Sequence, residues 1–137
     1  MRLFKSSEYA IRCLVYMAVH RDEVCSVKTL SESLDIPYKF LGRLMSSLRK
    51  AGIVEGLHGK NGGYVIAQPL EELHLADIID VVEGLDSYDR CILGFDQCDE
   101  ENPCPLHDRW KDQKDAIREM IDSTTLAELS RGKIHRL

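Results

Sequence analysis

The chain has 137 residues, of which 44% are apolar, and this length suffices for one compact domain or for a small domain with an extension. No apolar run approaches the length of a membrane span, and polar residues 6–8 interrupt any signal-peptide core, so we expect a cytoplasmic protein. The net charge of −5 divides unevenly: residues 1–69 carry 10 Lys or Arg against 6 Asp or Glu, whereas residues 70–137 carry 8 against 17. The mildly basic first half can meet an anionic polymer, which the acidic second half would repel.

Apolar residues at helical spacing predict three helices in the first part of the chain. The first spans residues 6–20, the second is opened by Ser26 as its N-cap, and the third runs from Pro37 to about Gly52. In the third helix the expected apolar stripe is Phe40, Leu41, Leu44 and Leu48, and the opposite side carries Lys39, Arg43, Ser47 and Lys50.

The segment IVEGLHGKNGGYVIAQP predicts a two-stranded hairpin that Pro69 closes. Residues 61–63 between the two β-prone runs are Asn-Gly-Gly, which tolerate positive φ. A fourth helix follows, with apolar positions Leu75, Ile78, Ile79 and Val82, and stops at Gly84. A final helix is predicted over 105–126, with apolar positions Leu106, Trp110, Ile117, Ile121 and Leu126.

Three helices followed by a hairpin is the order of a winged helix–turn–helix, a mainly α fold with a small β-hairpin wing. In that fold the third helix enters the major groove of DNA, and the wing lies along the backbone or the minor groove. The alternative is an ordinary helical hairpin without a ligand, in which each cation is a solvated surface charge. The candidate DNA-binding residues are Ser26, Lys28, Tyr38, Lys39, Arg43, Arg49, Lys50, His58 and Lys60.

The stretch RCILGFDQCDEENPCPLHDRW holds three cysteines and a histidine at the spacing C-x6-C-x5-C-x2-H. In a reducing compartment such a group indicates metal binding or redox chemistry more than a disulfide framework. The spacing lacks the tight C-x2–4-C pairs of structural zinc sites and favours a cluster of several irons. Because Pro105 is placed to start a helix, Cys104 and His107 are expected at its positive N-terminus, where thiolates are stabilised. A structural zinc ion and a thiol redox switch remain open alternatives.

Several further segments follow one another in the order and at the spacing of a known family: MRL and SEYAIR at the start, LMSSLRKAG at 44–52, GKNGGY at 59–64, the three cysteines, and TTLAEL at 124–129. Together they make the chain similar to the Rrf2 family of bacterial transcription regulators, which includes IscR, NsrR and RirA. The resemblance implies a DNA-binding regulator, expected to be a repressor, whose operator binding an iron–sulfur cluster controls by sensing redox, iron or nitrosative state.

The resemblance also implies the organisation of the chain. Residues 1–69 would form the winged helix–turn–helix domain, and residues 70–137 a helical region with a cluster-binding loop (88–105) and a dimerisation helix (105–126). Two such subunits would form a homodimer whose long helices cross and which binds a pseudo-palindromic operator on double-stranded DNA. The residues expected at the dimer interface are Leu106, Trp110, Ile117 and Ile121.

The implied cluster ligands are Cys91, Cys98 and Cys104 with a fourth residue. His107 matches the IscR-like branch, which carries a 2Fe–2S centre, whereas Glu8 matches an acidic position that in the NsrR-like branch reaches a 4Fe–4S centre from the partner subunit. Both stay open, with 2Fe–2S favoured. The chain departs from the family in the longer spacing between its first two cysteines, in the wing sequence His-Gly-Lys at 58–60, and in Gly42, where a glutamate is common.

A small iron–sulfur redox protein is the competing class. It is disfavoured because the sequence has no flavin or nucleotide motif and no acid–base constellation, so we expect no enzyme.

Overall fold

Six α-helices, a short 3-10 helix and one two-stranded sheet make up residues 3–132, the part of the chain that this computed structural model describes. The predicted C-terminal region extends to residue 137, so its last five residues lie outside the described part. The order of elements is α1 (Lys5–Val19), α2 (Val27–Leu34), α3 (Tyr38–Lys50), β1 (Val54–Leu57), β2 (Gly63–Ile66), α4 (Leu75–Val82), the 3-10 helix (Asp86–Tyr88), α5 (His107–Ser123) and α6 (Leu126–Arg131). The predicted fold class, mainly helical with a β-hairpin wing, is confirmed.

The turn between α2 and α3 is held on both sides by side-chain hydrogen bonds. Asp35 ends α2 in a left-handed conformation with φ 53°, which reverses the chain before Pro37 precedes α3. The hydroxyl of Ser31 donates to the carbonyl of Ile36 at 2.6 Å. The Arg12 guanidinium of α1 donates to the carbonyl of Leu34 at 2.7 Å, so a cation satisfies the C-terminal end of α2.

The wing is an antiparallel pair in which Val54 faces Ile66 and Leu57 faces Gly63. Cys25 attaches it to the start of α2 through two backbone hydrogen bonds with Tyr64, of 2.8 and 3.0 Å. Residues 61–63 were predicted to tolerate positive φ, and the structure places the positive φ of the wing turn at Gly59 instead, at 115°. Glycine is needed at 63 for space: a Cβ there would lie 2.5 Å from the carbonyl oxygen of Cys25.

The main core forms around α1, whose Ala10, Cys13 and Leu14 are fully buried, and it includes residues from α2, α3, α4 and α6. In α3 the predicted apolar stripe is correct for the three leucines and wrong for Phe40, which is 39% exposed. Met45 takes the inward position instead and is fully buried. The reason is geometric, since 41, 44, 45 and 48 follow the spacing of one helical face and 40 lies at its edge.

The last helix differs from its prediction, because two helices replace the single helix over 105–126. The helical conformation is interrupted at Thr124 and Thr125. Thr125 forms a reciprocal capping box with Glu128 at the start of α6. Leu126 is fully buried in the core around α1, and its amide donates to the carbonyl of Leu73 at 2.8 Å. The sequence Thr-x-x-Glu is the signature of this cap and marks the break.

A second, smaller apolar cluster joins α4, the 3-10 helix and α5. Its buried members are Ala76, Ile79, Tyr88 and Ile121, with Ile117 and Leu3 packed against them. This cluster places α5 beside α4 and fixes the position at which the cysteine-rich segment leaves the core.

We predict that Gly63→Ala lowers the free energy of unfolding by about 1–3 kcal/mol, because the added methyl meets the backbone of Cys25. Gly42→Ala is the matched control: nothing lies within 4 Å of a Cβ there, so the same change should stabilise the helix by about 0.5–1 kcal/mol. Urea unfolding followed by circular dichroism measures both. Equal effects of the two substitutions would contradict the steric account of the wing.

Candidate functional site

The outer side of α3 is a polar and basic surface, which we call the recognition face. Tyr38 at its start is 60% exposed, and Lys39, Arg43 and Lys50 are all exposed along it. Arg49 instead lies beside the wing, so close that a Cβ at Gly56 would be 3.5 Å from its Cδ atom. Basic side chains in this arrangement are suited to phosphate and base contacts in a groove.

The other predicted DNA-binding residues surround this face. Lys28 is exposed in the first turn of α2, and His58 and Lys60 are exposed in the turn of the wing. The Ser26 hydroxyl is already engaged, since it accepts from the Thr29 amide at 3.0 Å and donates to the Thr29 hydroxyl at 2.9 Å. Its role in the fold is therefore the N-cap of α2.

The structure brings the four predicted ligands, Cys91, Cys98, Cys104 and His107, to one cavity of about 240 Å³. The cavity lies where the cysteine-rich segment meets the start of α5, and Phe95, Gln97, Asp99 and Asn102 complete its wall. All three cysteines are unpaired thiols, with Cys98 exposed and Cys91 and Cys104 half-buried. We call residues 89–106 the cysteine loop.

Local turns give the cysteine loop its shape. Gly94 adopts φ 83° and its amide donates to the carbonyl of Cys91 at 3.0 Å, which closes a turn directly after the first cysteine. Asp99 accepts from the amides of Glu101 and Asn102 at 2.9 and 3.3 Å, an Asx turn. These turns position the sulfur atoms without any regular secondary structure.

The helix α5 fastens the loop through one hydrogen bond and two ion pairs. Its Trp110 donates from Nε1 to the carbonyl of Arg90 at 3.1 Å. Ion pairs join Lys111 to Glu100 at 3.6 Å and Arg118 to Asp89 at 3.7 Å. The sequence analysis missed this role of α5, although the spacing 107, 111, 114, 118 of His, Lys, Lys and Arg carries the signal.

The thiols of the loop differ in acidity. Backbone amides of Leu93 and Phe95 lower the pKa of Cys91, because N–H groups directed at sulfur favour the thiolate. Loss of solvation raises the pKa of Cys98, and the negative charge on Cys91 raises it further, while Lys114 acts in the opposite direction. Cys91 is therefore the more acidic and Cys98 the less acidic thiol of this pair.

The remaining candidates lie away from this cavity. Glu8, in the first turn of α1, forms an ion pair with Lys5 at 3.0 Å and is not among the residues that line the cavity. Cys13 and Cys25 are buried in the main core, and burial raises the pKa of Cys13 to about 12. Within residues 3–132, no three His, Cys, Asp or Glu side chains are gathered closely enough to hold a single metal ion.

A winged helix–turn–helix with an exposed basic third helix defines the class of DNA-binding transcription regulators. The family model described as Rrf2, iron-dependent transcriptional regulator, matches residues 3–132. The chain belongs to the Rrf2 family, as its sequence motifs predicted. It is thus a transcription regulator and not an enzyme, which confirms that expectation.

Two curated relatives illustrate the similarity. A putative HTH-type transcriptional regulator of Aquifex aeolicus is 32% identical over 123 residues, which are 88% of this chain and 85% of the relative. The regulator IscR of Pectobacterium atrosepticum is 31% identical over 134 residues, which are 97% of this chain and 81% of the relative.

Two solved structures share the fold over almost the whole chain. CymR, described as the global cysteine regulator of B. subtilis, has a TM-score of 0.82 at 26% identity, with 96% of this chain and 97% of that one covered. IscR of T. potens has a TM-score of 0.75 at 28% identity, with 96% and 87% covered. No helix among the described residues has the length and apolarity needed to cross a bilayer.

We predict that iodoacetamide modifies Cys91 first in the metal-free, reduced protein. Because its pKa is lowered, its thiolate fraction and alkylation rate should rise at a lower pH than those of Cys98, whose pKa is raised. Cys13 should stay unmodified until the protein unfolds. Mass spectrometry with peptide fragmentation over a pH series measures the order, and guanidinium-unfolded protein is the control. Equal rates for Cys91 and Cys98 in the folded protein would contradict the assignment.

Proposed function

We propose that this Rrf2 family member is a homodimeric repressor whose binding to a DNA operator is controlled by an iron–sulfur cluster on the cysteine loop. The observation that carries the proposal is the meeting of three thiols and one imidazole at a single cavity beside the start of α5. Soft sulfur ligands select iron–sulfur clusters, and amides directed at a sulfur ligand are a common means of tuning them.

The ligands in this proposal are Cys91, Cys98, Cys104 and His107, around a 2Fe–2S centre. Support for His107 comes from its place in the cavity wall beside the three cysteines. A contribution from the partner subunit's Glu8, with a 4Fe–4S centre, is the competing assignment. When bound, the cluster supplies a redox- and oxidant-sensitive link among the loop ligands.

The positions of the four proposed ligands in the chain explain how a bound cluster would restrain the loop. Cys91 and Cys98 lie on either side of the Gly94 turn, and Cys104 joins the loop to α5 through the hydrogen bond from the His107 amide to its carbonyl, at 3.0 Å. Ligation of all four residues would fix the loop against α5, whereas without it the loop would be held by its turns and surface ion pairs. Operator affinity would follow the difference between these two arrangements.

Dimerisation is supported by an apolar groove between α4 and α5. Ile117 lies half-buried in it, and Met120 beside it is 55% exposed. Ile121, also expected at the interface, is 4% exposed because it packs on α4 of the same chain, so it would support the interface from beneath. Leu106, which is 40% exposed, and the half-buried Trp110 would extend the surface toward the loop. A twofold dimer presents two recognition faces, as a pseudo-palindromic operator requires.

A thiol switch without a cluster is the second candidate, and one observation favours it. Cys91 and Cys98 line the same cavity and differ in acidity, so two unlike thiols lie together in the loop. A thiolate beside a thiol is the arrangement from which a disulfide forms on oxidation. The similarity to CymR, which is also known in an oxidized form from Staphylococcus aureus, points the same way.

We predict that Cys91→Ala, Cys98→Ala and Cys104→Ala each abolish the visible absorbance and acid-labile sulfide of anaerobically purified protein. The reason is that each removes one thiolate ligand from the proposed set. Cys25→Ala is the matched control, because this thiol lies in the main core, and it should keep the full iron content.

The same measurement separates the alternatives. Wild-type protein that contains no sulfide but forms a disulfide between Cys91 and Cys98 on oxidation would favour the thiol switch. His107→Ala should reduce cluster content while Glu8→Ala leaves it unchanged, and the reverse pattern would reject the histidine in favour of the partner's Glu8.

We predict that Arg43→Ala weakens binding to an operator enriched from a random duplex pool by about 1–3 kcal/mol, because a guanidinium on the recognition face can pair with a guanine edge. Arg21→Ala removes an exposed arginine outside α2, α3 and the wing and serves as the control. Fluorescence anisotropy at fixed salt measures both. An equal loss of affinity on the operator and on random DNA would reassign Arg43 to a phosphate contact.

A further inference from the structure

One carboxylate joins the beginning of α1 to the segment that precedes the cysteine loop. Glu83, directly after α4, accepts at Oε2 from the Phe4 amide at 3.0 Å and from the Ser7 hydroxyl at 2.6 Å. Its other oxygen, Oε1, accepts from the Tyr88 hydroxyl at 3.1 Å. Three donors from two different elements therefore converge on a single half-buried side chain.

On the α1 side, Glu83 takes the place of an N-cap. Phe4 occupies the N-cap position and has no side-chain acceptor of its own. Glu83 satisfies the Phe4 amide, and its negative charge lies at the positive end of the helix. Ser7, fully buried one turn into α1, has no exposure to water, so the carboxylate also satisfies its hydroxyl.

On the loop side, Tyr88 ends the 3-10 helix three residues before Cys91 and is only 5% exposed. Burial, followed by the charge and the hydrogen bond of Glu83, raises the pKa of Tyr88 to about 12, so the hydroxyl remains a donor at neutral pH. Its ring packs with Ile79 and Ile121 in the second apolar cluster. A movement of the segment that enters the cysteine loop must therefore either carry this hydroxyl with it or break its bond.

Beyond Ser7, α1 contacts α3, the helix that carries the recognition face. The Tyr9 ring meets Phe40 edge-on, with ring centroids 5.5 Å apart and an interplanar angle of 78°. Phe40 lies next to Lys39 in the first turn of α3 and is the residue that the helical pattern wrongly placed in the core. Arg12, one turn further along α1, holds the end of α2. The helix α1 thus contacts both helices of the helix–turn–helix, through Tyr9 and through Arg12.

We propose that Glu83 is the positioning residue through which the state of the cysteine loop reaches the recognition helix within a single chain. The route runs from Tyr88 to Glu83, then to the start of α1, and through Tyr9 and Phe40 to α3. The effect of this route on operator binding rests on the proposed function. The contacts that form the route are present without a cluster. Hydrogen bonds and packed side chains connect the loop to α3 along this route without a gap, so a single substitution along it should weaken the coupling between the two.

Two substitutions each remove one hydrogen bond of Glu83, one toward the loop and one toward α1. Tyr88→Phe removes the loop-side hydrogen bond and keeps the ring in its apolar cluster, and Ser7→Ala removes one bond on the α1 side. Tyr16→Phe is the matched control, because it deletes a hydroxyl that makes only a 3.4 Å contact with Ser33 at the surface. If one of the first two variants fails to fold, the other still tests the proposal.

The first experiment uses metal-free protein without DNA. In wild-type protein, modification of the cysteine loop with iodoacetamide should shift the Phe4 backbone amide proton in the NMR spectrum and increase its hydrogen exchange. In Tyr88→Phe the same modification should leave that amide unmoved, while Tyr16→Phe behaves as wild type. A Phe4 amide that responds equally in wild type and Tyr88→Phe, or that does not respond in wild type, overturns the route.

The second experiment measures operator affinity with and without the cluster. In wild type the two states should differ by a ratio of about 5–150-fold, the usual range of allosteric coupling. Tyr88→Phe and Ser7→Ala should each lower this ratio by about threefold or more, and Tyr16→Phe should not change it. Ratios that stay at the wild-type value in both variants overturn the role of Glu83. Equal operator affinities of wild-type protein with and without the cluster would instead reject control by a cluster. The experiment on the Phe4 amide would then test the route from the loop to α1 by itself.

Discussion

Burial of α1 on nearly all sides is the constraint on which the rest of the molecule depends. The helix packs against α2 and α3 on one side and against α4 and α6 on the other, so both halves of the chain share one core. Its Ala10 and Cys13 are small and fully buried, which permits close approach of the neighbouring helices. A larger side chain at either position would separate them, since protein interiors leave no spare volume. The helix–turn–helix and α4, which leads to the cysteine loop, therefore share one core.

Those elements of the fold that depend on capping residues and apolar periodicity could be predicted from the sequence. The N-cap at Ser26, the stop at Gly84 and the inward leucines of α3 follow from capping and periodicity, and each lies where it was predicted. The break before Leu126 was also encoded, in a capping-box sequence that the apolar pattern of the preceding helix obscured. The need for glycine at 63 was not readable, because it arises from the distant backbone of Cys25.

The four residues that the sequence predicted as ligands line one cavity, whereas the turns and contacts that shape this cavity were not predicted. Cysteine and histidine spacing identified the four residues that meet at one cavity, since few other reasons concentrate thiols in a polar loop. The unequal acidity of Cys91 and Cys98 depends on amide directions that only the folded loop defines. The contacts of Glu83 with Phe4 and Tyr88 span 79 and 5 residues, and the longer one has no counterpart in any local pattern.

The ion pairs between α5 and the cysteine loop have a consequence for any thermodynamic study of this regulator. The two pairs are Lys111 with Glu100, at 3.6 Å, and Arg118 with Asp89, at 3.7 Å. Because their side chains are partly exposed, salt in the solvent weakens both pairs. Electrolyte also competes with phosphate contacts, and the slope of operator affinity against its concentration is commonly interpreted as a number of displaced counterions. Under the proposed control by the cysteine loop, weakening of these pairs by salt would add a second contribution to the slope. The difference in slope between wild type and a variant without these two pairs would measure that contribution separately from the phosphate contacts.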